Sequence, residues 1–500
     1  MSRTAAVAAA IVVLTVLLSP LQRELYVGDE TKYSQVVREM RTGSFFLPTL
    51  EGSPFTHKPP LHFWLMDGLT YVFGTYSIWP YVLPSLIAFA LLLFFLHRIG
   101  GPFAAFVAGT SLMLWGSAQT ARMDVEFAAL LAVGAWCLYR QRFPAAGFFA
   151  GLAFLVKGPM APVILLALYV FEAIRRKRRP RGSDAWMLVP MLLMPLLWLV
   201  PAVMIGGEAF WREIFYKQTV GRAVGAWVHK SPPWFYLVRA PLTFLPWFFI
   251  AVPAIIAAYK RNDDRAKFAV SYLLAVLVPY TLLSSKLDVY MIALLPAVGL
   301  VIARLVEIED RWSSIARRAN LVLLALFALA GVAGLIVQPS QLKGDDAALI
   351  ARTDVRMLFV VLLLAALIAI VVSLRGRLAP AVLATGFVAV AALSYAGIAL
   401  VPVANELAST RPLVRALGTL DVPREQIALF VTPHLWVRGM DPELWRAKHV
   451  DEDSLRALPA PPRVIVTRRK DAAKIEASLR GYRKVAELRM IGKWFDVYER

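Results

Sequence analysis

Asp29 and Glu30 stand side by side in the run Gly28-Asp29-Glu30-Thr31-Lys32-Tyr33. Adjacent carboxylates point in different directions on any regular element, so one can face a site while the other caps or supports it. A carboxylate facing a site can take the proton from an attacking hydroxyl as a general base. A helix N-terminus favours the same acids, and the pattern alone leaves both readings open. A second group is Thr56-His57-Lys58-Pro59-Pro60. Its prolines stop a helix from running through Lys58 and hold that lysine in place, which suits a phosphate. A lysine meeting lipid headgroups would look the same.

Four further groups join these. Arg122-Met123-Asp124, followed by Glu126, is a charged pair in an apolar loop, or a local ion pair capping the next helix. Lys157 stands alone before Gly158-Pro159, where a partner anion would explain it. Lys286 lies in Ser285-Lys286-Leu287-Asp288-Val289-Tyr290, suited to an anion or to snorkelling. The segment from Gly221-Arg222 through His229-Lys230-Ser231-Pro232-Pro233-Trp234-Phe235-Tyr236, with Arg239 beyond, combines basic, aromatic and proline residues. An aromatic belt explains its Trp and Tyr without a function. His57 and His229 could share a divalent metal, although a single histidine is more often no ligand.

The elements that must position these residues follow from composition. Of 500 residues, 59% are apolar and 18% charged, against about 45–50% and about 25% in soluble chains. Mean hydropathy is +0.61. Disorder is excluded by this hydrophobicity, and an internal disulfide by the single cysteine, Cys137. Residues 405–500 hold 18 Lys/Arg and 13 Asp/Glu, so a long apolar part precedes a small water-soluble one. The apolar part divides into about 13 spans, near 4–21, 78–97, 102–120, 125–139, 143–156, 159–174, 185–205, 238–258, 268–284, 289–306, 319–337, 356–374 and 380–401. The stretches at 125–139 and 143–156 are short, so the count could shift by one or two. The first span could also be a cleaved signal peptide, although no small-x-small site is clear before Leu21.

The net charge of +20 would point to nucleic acid in a soluble protein. Here much of it lies in short loops, densest at Arg175-Arg176-Lys177-Arg178-Arg179 and Arg181, which should be cytoplasmic. Alternation from that loop predicts a cytoplasmic N-terminus and an extracytoplasmic C-terminal domain. Residues 22–77 then form the first outer loop, with amphipathic helices expected at 30–42 and 60–73 and suited to the membrane interface. Strands are expected at 426–432 and 463–467, a helix at 471–480 and a strand pair in 484–498, so the tail reads as α/β.

On this topology Lys58, Arg122, Lys157, Arg222, His229, Arg239 and Lys286 share the outer face with Asp29, Glu30 and Asp124. Cations there would stabilise a phosphate leaving group, and a carboxylate would activate an acceptor hydroxyl. The expected chemistry is transfer from a lipid-linked phosphate, with no nucleic acid involved. No nucleotide fingerprint is present. A transporter or flippase of lipid-linked sugars is the alternative, but the inverted repeats and broken helices typical of transporters are not evident.

The stretch GDETKYSQVVREMRTGSFFLPTLEGSPFTHKPPLHFWL resembles the first outer loop of GT-C glycosyltransferases. The branch is that of the lipid A aminoarabinose transferases and their protein O-mannosyltransferase relatives. Asp29, Glu30, Tyr33, Gly43, Pro48, Lys58 and Pro59 match its pattern. LVKGP (155–159), HKSPPWFY (229–236), FLPW (244–247), SKLDVY (285–290) and LLP (294–296) follow in the family order. The resemblance covers the first 300 residues and implies an all-α polytopic GT-C fold with a small C-terminal α/β domain, divided as 1–404 and 405–500. It implies an inverting transfer of a sugar from a polyprenyl phosphate, such as undecaprenyl phosphate, to a lipid A-like or other envelope acceptor, at the outer face of the inner (plasma) membrane. By position Asp29 matches the catalytic acid of the first loop. Glu30 and Asp124 are expected beside it as further catalytic acids, Asp124 in a supporting role. Tyr33, Lys58, Arg122, Lys157, Arg222, Arg239, Lys286 and Tyr290 are expected to line the substrate. His57 stands where aminoarabinose transferases usually carry glutamate, which weakens the case for that particular sugar. If the family site holds a divalent metal (zinc-type, magnesium or manganese), His57 and His229 are its ligand candidates.

Overall fold

The computed structural model describes residues 2–215, 231–342, 345–430 and 443–500. The helices that matter for the site are α1 (Ser2–Val16), α2 (Asp29–Met40), α3 (Leu61–Phe73), α4 (Trp79–Gly109), α5 (Leu112–Ala118), α6 (Met123–Tyr139), α7 (Phe143–Lys157) and α8 (Met160–Arg175). They are followed by α9 (Leu188–Arg212), α10 (Phe235–Thr243), α11 (Phe248–Lys260), α12 (Asp264–Leu282), α13 (Leu295–Ile308) and α14 (Arg311–Ile336). A short helix α15 (Asp345–Ala351) precedes α16 (Thr353–Leu374), α17 (Leu378–Tyr395), α18 (Val401–Ala408) and α19 (Arg411–Gly418).

Every expected span has a helical counterpart, but length separates them. Among the described residues seven helices are long and apolar enough to cross a membrane alone. The number is eight if α10 and α11, bent by 116° at their junction, form one span. The others are shorter: α1 and α7 have 15 residues, α8 has 16 and α6 has 17, against about 20 for a full hydrocarbon crossing. The expected spans 78–97 and 102–120 run together, because α4 continues through a break at Gly101 (φ 77) and is followed at once by α5. Helix α1 packs in the bundle, with Ala8, Val12 and Val16 buried.

The core is continuous through the bundle and contains Phe63, Met66, Tyr81, Phe89, Phe106, Phe127 and Trp247. Its helices approach closely where side chains are small, as lipid-embedded packing requires. A Cβ on Gly147 of α7 would lie 1.9 Å from the Met187 carbonyl oxygen, and one on Gly299 of α13 would lie 2.6 Å from that of Ala104.

The first loop folds as expected. In α2, Val36, Val37 and Met40 are buried on one side. In α3 the buried residues His62, Phe63, Met66, Asp67 and Thr70 recur at helical spacing, while Tyr71 and Val72 are exposed. Between them β1 (Thr49–Leu50) and β2 (Ser53–Pro54) make a small hairpin. Glu39 pins it by accepting from Thr49 Oγ1 at 2.7 Å and from the Glu51 and Gly52 amides at 2.7 and 3.2 Å.

The C-terminal part is a five-stranded sheet of β3 (Ile427–Phe430), β4 (Lys448–His449), β5 (Val464–Arg468), β6 (Arg483–Met490) and β7 (Lys493–Glu499), in the order β4-β3-β5-β7-β6. β3 runs parallel to both β4 and β5, with Ala428 opposite Ile465, and β7 is antiparallel to β5 and β6. The expected helix at 471–480 is instead a 3₁₀ run, Arg469–Leu479, interrupted at Ile475. Helix α19 covers one face through Leu413 and Leu417, which pack with Phe495 and Val497.

Gly147→Ala should shift α7 against the turn at Met187 and cost about 1–3 kcal/mol, read as a lower melting temperature in detergent. Gly116→Ala in α5, where a Cβ would meet nothing within 4 Å, should leave the melt unchanged or raise it slightly.

Candidate active site

The site is assembled from the starts of α2 and α6, the approach to α3 and the end of α7. Gly28 adopts φ 132, a left-handed value that favours glycine, and lets the chain turn directly into α2. Asp29 is the first residue of that helix and its side chain is 38% exposed. One oxygen accepts from Lys32 Nζ at 2.6 Å, and the other lies 3.5 Å from Arg122 Nη1. Burial alone would raise the Asp29 carboxyl, but Lys32, Arg122 and Lys58 outweigh it and hold the group below the ordinary aspartate value.

Glu30, the next residue, points the other way and is buried. It takes a guanidinium hydrogen bond from Arg23, the Tyr26 amide at 2.9 Å and the Ala121 amide at 2.8 Å. The last of these ties α2 to the loop that carries Arg122. That loop is held from its far side by Ser85 of α4, whose hydroxyl accepts from the Arg122 amide at 3.1 Å.

Asp124, in the first turn of α6, forms a buried ion pair with Lys157 at the end of α7. Lys58 acts electrostatically on both Asp29 and Asp124. The Lys157 ammonium also sits over the Tyr290 ring, 4.3 Å from its centroid. Tyr290 stacks on Tyr280 at 4.8 Å. Tyr33 is buried at the centre of the group, where Asp29, Arg122, Asp124 and Tyr290 all act on its hydroxyl. Asp29, Tyr33, Lys58, Arg122, Asp124, Lys157 and Tyr290 therefore converge.

Three expected residues stand differently. Glu30 is saturated by its three donors. Lys286 is buried, with its ammonium donating to the backbone carbonyls of Ser231, at 3.1 Å, and Leu283. Arg239 pairs with Asp288 at 3.1 Å. Arg222 and His229 lie outside the described residues. His57 is exposed, with its ring 5.2 Å from Phe55. Among the described residues no group of three His, Cys, Asp or Glu side chains could hold a metal ion.

One pair escaped sequence reasoning. His62 of α3 points Nδ1 at both oxygens of Glu126 in α6, at 2.9 and 2.7 Å, with His62 wholly buried. It ties together the helix following Lys58 and the helix carrying Asp124. The available signal was a lone histidine on the apolar side of 60–73, which by itself names no partner. Lys32, inside the first motif, also had no assigned role.

A family profile described as dolichyl-phosphate-mannose-protein mannosyltransferase matches residues 57–205. An undecaprenyl phosphate-alpha-4-amino-4-deoxy-L-arabinose arabinosyl transferase of Pseudomonas aeruginosa is 28% identical over 347 residues, 63% of each chain. One from Yersinia enterocolitica is 25% identical over 326 residues, 60% of this chain and 58% of that one. The chain thus matches less than two thirds of the length of these relatives. The crystal structure of ArnT from Cupriavidus metallidurans bound to undecaprenyl phosphate superposes with a TM-score of 0.76 at 19% identity, covering 98% of this chain and 97% of that one. Its apo state gives 0.73. The chain is a multi-pass membrane protein with the GT-C fold. Within that class its sequence resembles those of the aminoarabinose transferases and of the protein mannosyltransferases over part of its length.

Asp29 and Glu30 should separate cleanly by stability. Glu30→Gln leaves the buried Arg23 uncompensated and should cost about 3–5 kcal/mol. Asp29→Asn, at a half-exposed carboxylate, should change the melting temperature far less. Equal losses in the two variants would contradict this division.

Proposed function

We propose that the protein is a glycosyltransferase that moves a sugar from a polyprenyl-phosphate donor to a lipid, or another envelope acceptor, with inversion at the anomeric carbon. The observation that carries this reading is the exposure of Asp29. Glu30, Asp124 and Glu126 are buried in ion pairs or hydrogen bonds, whereas Asp29 is half-exposed and ringed by Lys32, Lys58 and Arg122. A carboxylate open to an acceptor beside cations open to a phosphate is the arrangement that the transfer needs. The relatives' names support the donor class, as does the undecaprenyl phosphate bound in the ArnT structure.

In the proposed step the acceptor oxygen attacks the anomeric carbon and its proton passes to Asp29. The bond from that carbon to the phosphate oxygen breaks, and the electron pair leaves with the polyprenyl phosphate. Lys58 and Arg122 meet the charge that develops on the leaving phosphate, and Lys157 holds Asp124 in place behind them. Glu30 and the His62–Glu126 pair position these groups without touching substrate. The site faces the extracytoplasmic side in this reading, with the N-terminus inside, because the densest basic loop, 175–181, is cytoplasmic by the positive-inside bias. His57 and His229 remain the ligand candidates for a divalent metal. The transporter reading has no comparable support, since transport requires no half-exposed base.

Asp29→Asn should lower kcat by about 10²–10⁴-fold with little change in KM for the donor, measured in membranes with matched protein levels. Unchanged transfer would remove Asp29 as base. Because the Asp29 carboxyl is held below its ordinary value, it stays ionised as pH falls and is lost only beneath about 3.9. The acid limb of kcat/KM should therefore lie below that value wherever the protein remains folded. A limb centred near pH 6 would assign the base to another group. Lys58→Ala should raise KM for the polyprenyl-phosphate sugar, and an unchanged donor dependence would reject its phosphate role.

A further inference from the structure

The C-terminal sheet has an end that borders the last candidate span. Its β6–β7 turn touches the last candidate span, the Ile491 amide donating to the Leu407 carbonyl oxygen at 2.6 Å. Leu407 and Ala408 end the apolar run Leu378–Ala408. The same end of the sheet is basic. Arg468 closes β5 opposite Phe495 and Lys493 opens β7 beside the turn, with Arg468 and Lys470 both near enough to act on the Lys493 ammonium. The acids nearby are already engaged. Asp471 pairs with Arg468 at 2.5 Å and with Lys474 at 3.1 Å. Asp496 and Glu487 pair with Arg469 at 2.8 and 2.7 Å, and Glu487 also pairs with Lys484. Among the described residues neither Lys470 nor Lys493 makes an ion pair.

Like charges gathered without acids repel one another unless an anion meets them. Burial and the nearness of Arg468 and Lys470 push the Lys493 ammonium below its ordinary value, so the crowding is felt there. A second observation comes from the opposite face of the same turn. Trp494 is 45% exposed, with the Arg469 guanidinium 5.0 Å and that of Arg489 5.6 Å from its ring. An exposed tryptophan among cations at the end of a membrane span has the character of an interfacial anchor.

We propose that this end of the sheet, with Lys470, Lys493 and Trp494 at its edge, rests on the anionic phosphate headgroups of the adjoining leaflet. The lysines meet lipid phosphates and the indole lies at headgroup level. The contact is independent of the proposed reaction and of which side the site faces, because the sheet and the last span end together on either topology. Lipid charge would then hold the sheet against the mouth of the site, where Glu24 already pairs with Arg411 at 2.6 Å.

The test is hydrogen exchange of residues 489–494 in the full-length protein, reconstituted in nanodiscs of phosphatidylglycerol or of phosphatidylcholine. Amides of this turn should exchange slower in the anionic discs, by about fivefold for each lysine that meets a headgroup. The difference should vanish in the double variant Lys470→Gln with Lys493→Gln, and should shrink in about 1 M salt. Equal exchange of the unaltered protein in the two lipids would overturn the proposal, and this comparison requires no variant to fold. Protection that survives the double variant would also overturn it. Inorganic phosphate added to phosphatidylcholine discs should not slow exchange. If it does, the site takes a soluble anion and the membrane assignment is wrong.

Discussion

A buried carboxylate, Glu30, holds the candidate site together. An ionised acid out of water must be compensated by charge and hydrogen bonds. Here the compensation comes from Arg23, the Tyr26 amide and the Ala121 amide. The donors come from the chain before α2 and from the loop before α6, so satisfying one side chain joins two parts of the sequence. Because neighbours on a helix point apart, anchoring Glu30 inward leaves Asp29 outward, beside Arg122.

Around that anchor the site separates charges that hold from charges that are open. Asp124 with Lys157, and Glu126 with His62, are buried pairs that lock α6 to α7 and to α3. They raise the cost of moving these helices apart, since opening would strand a charge in an apolar bundle. Asp29, Lys32 and Arg122 are only part-buried. Such groups can exchange protein partners for a ligand at small cost, as the proposed transfer requires. Tyr33 lies between the two sets.

The soluble sheet is fastened to the same region. The Glu24 amide and the Gln22 carbonyl are both bonded to the Asn405 side chain, at 3.0 Å each, and the Val27 amide donates to the Ala408 carbonyl at 2.8 Å. The last span therefore ends against the segment that leads into α2. His449 of β4 comes within 3.8 Å of Glu51 in the first-loop hairpin. The sheet and the first loop thus border one mouth, although nearly four hundred residues of chain lie between them.

Composition and local pattern by themselves determined a great deal. Apolar runs separated by short basic loops define a polytopic helical membrane protein, because hydrocarbon excludes unpaired backbone. The Asp-Glu, Lys-Pro and Lys-Gly-Pro groups marked residues that the fold brings together, because charges at the ends of apolar helices are costly without a purpose. The alternation in the tail marked its strands. Tertiary structure alone decided which acid is which. Asp29 and Glu30 are alike in sequence, and only the arrival of Arg23 and the Ala121 amide makes Glu30 the anchor. Lys286 looked like another outer cation until folding turned its ammonium onto two backbone carbonyls. His62 and Glu126 lie sixty-four residues apart, and no local period links them. Span number was equally beyond local pattern, since short helices such as α6 and α7 reach their full role by packing on neighbours, which composition does not record.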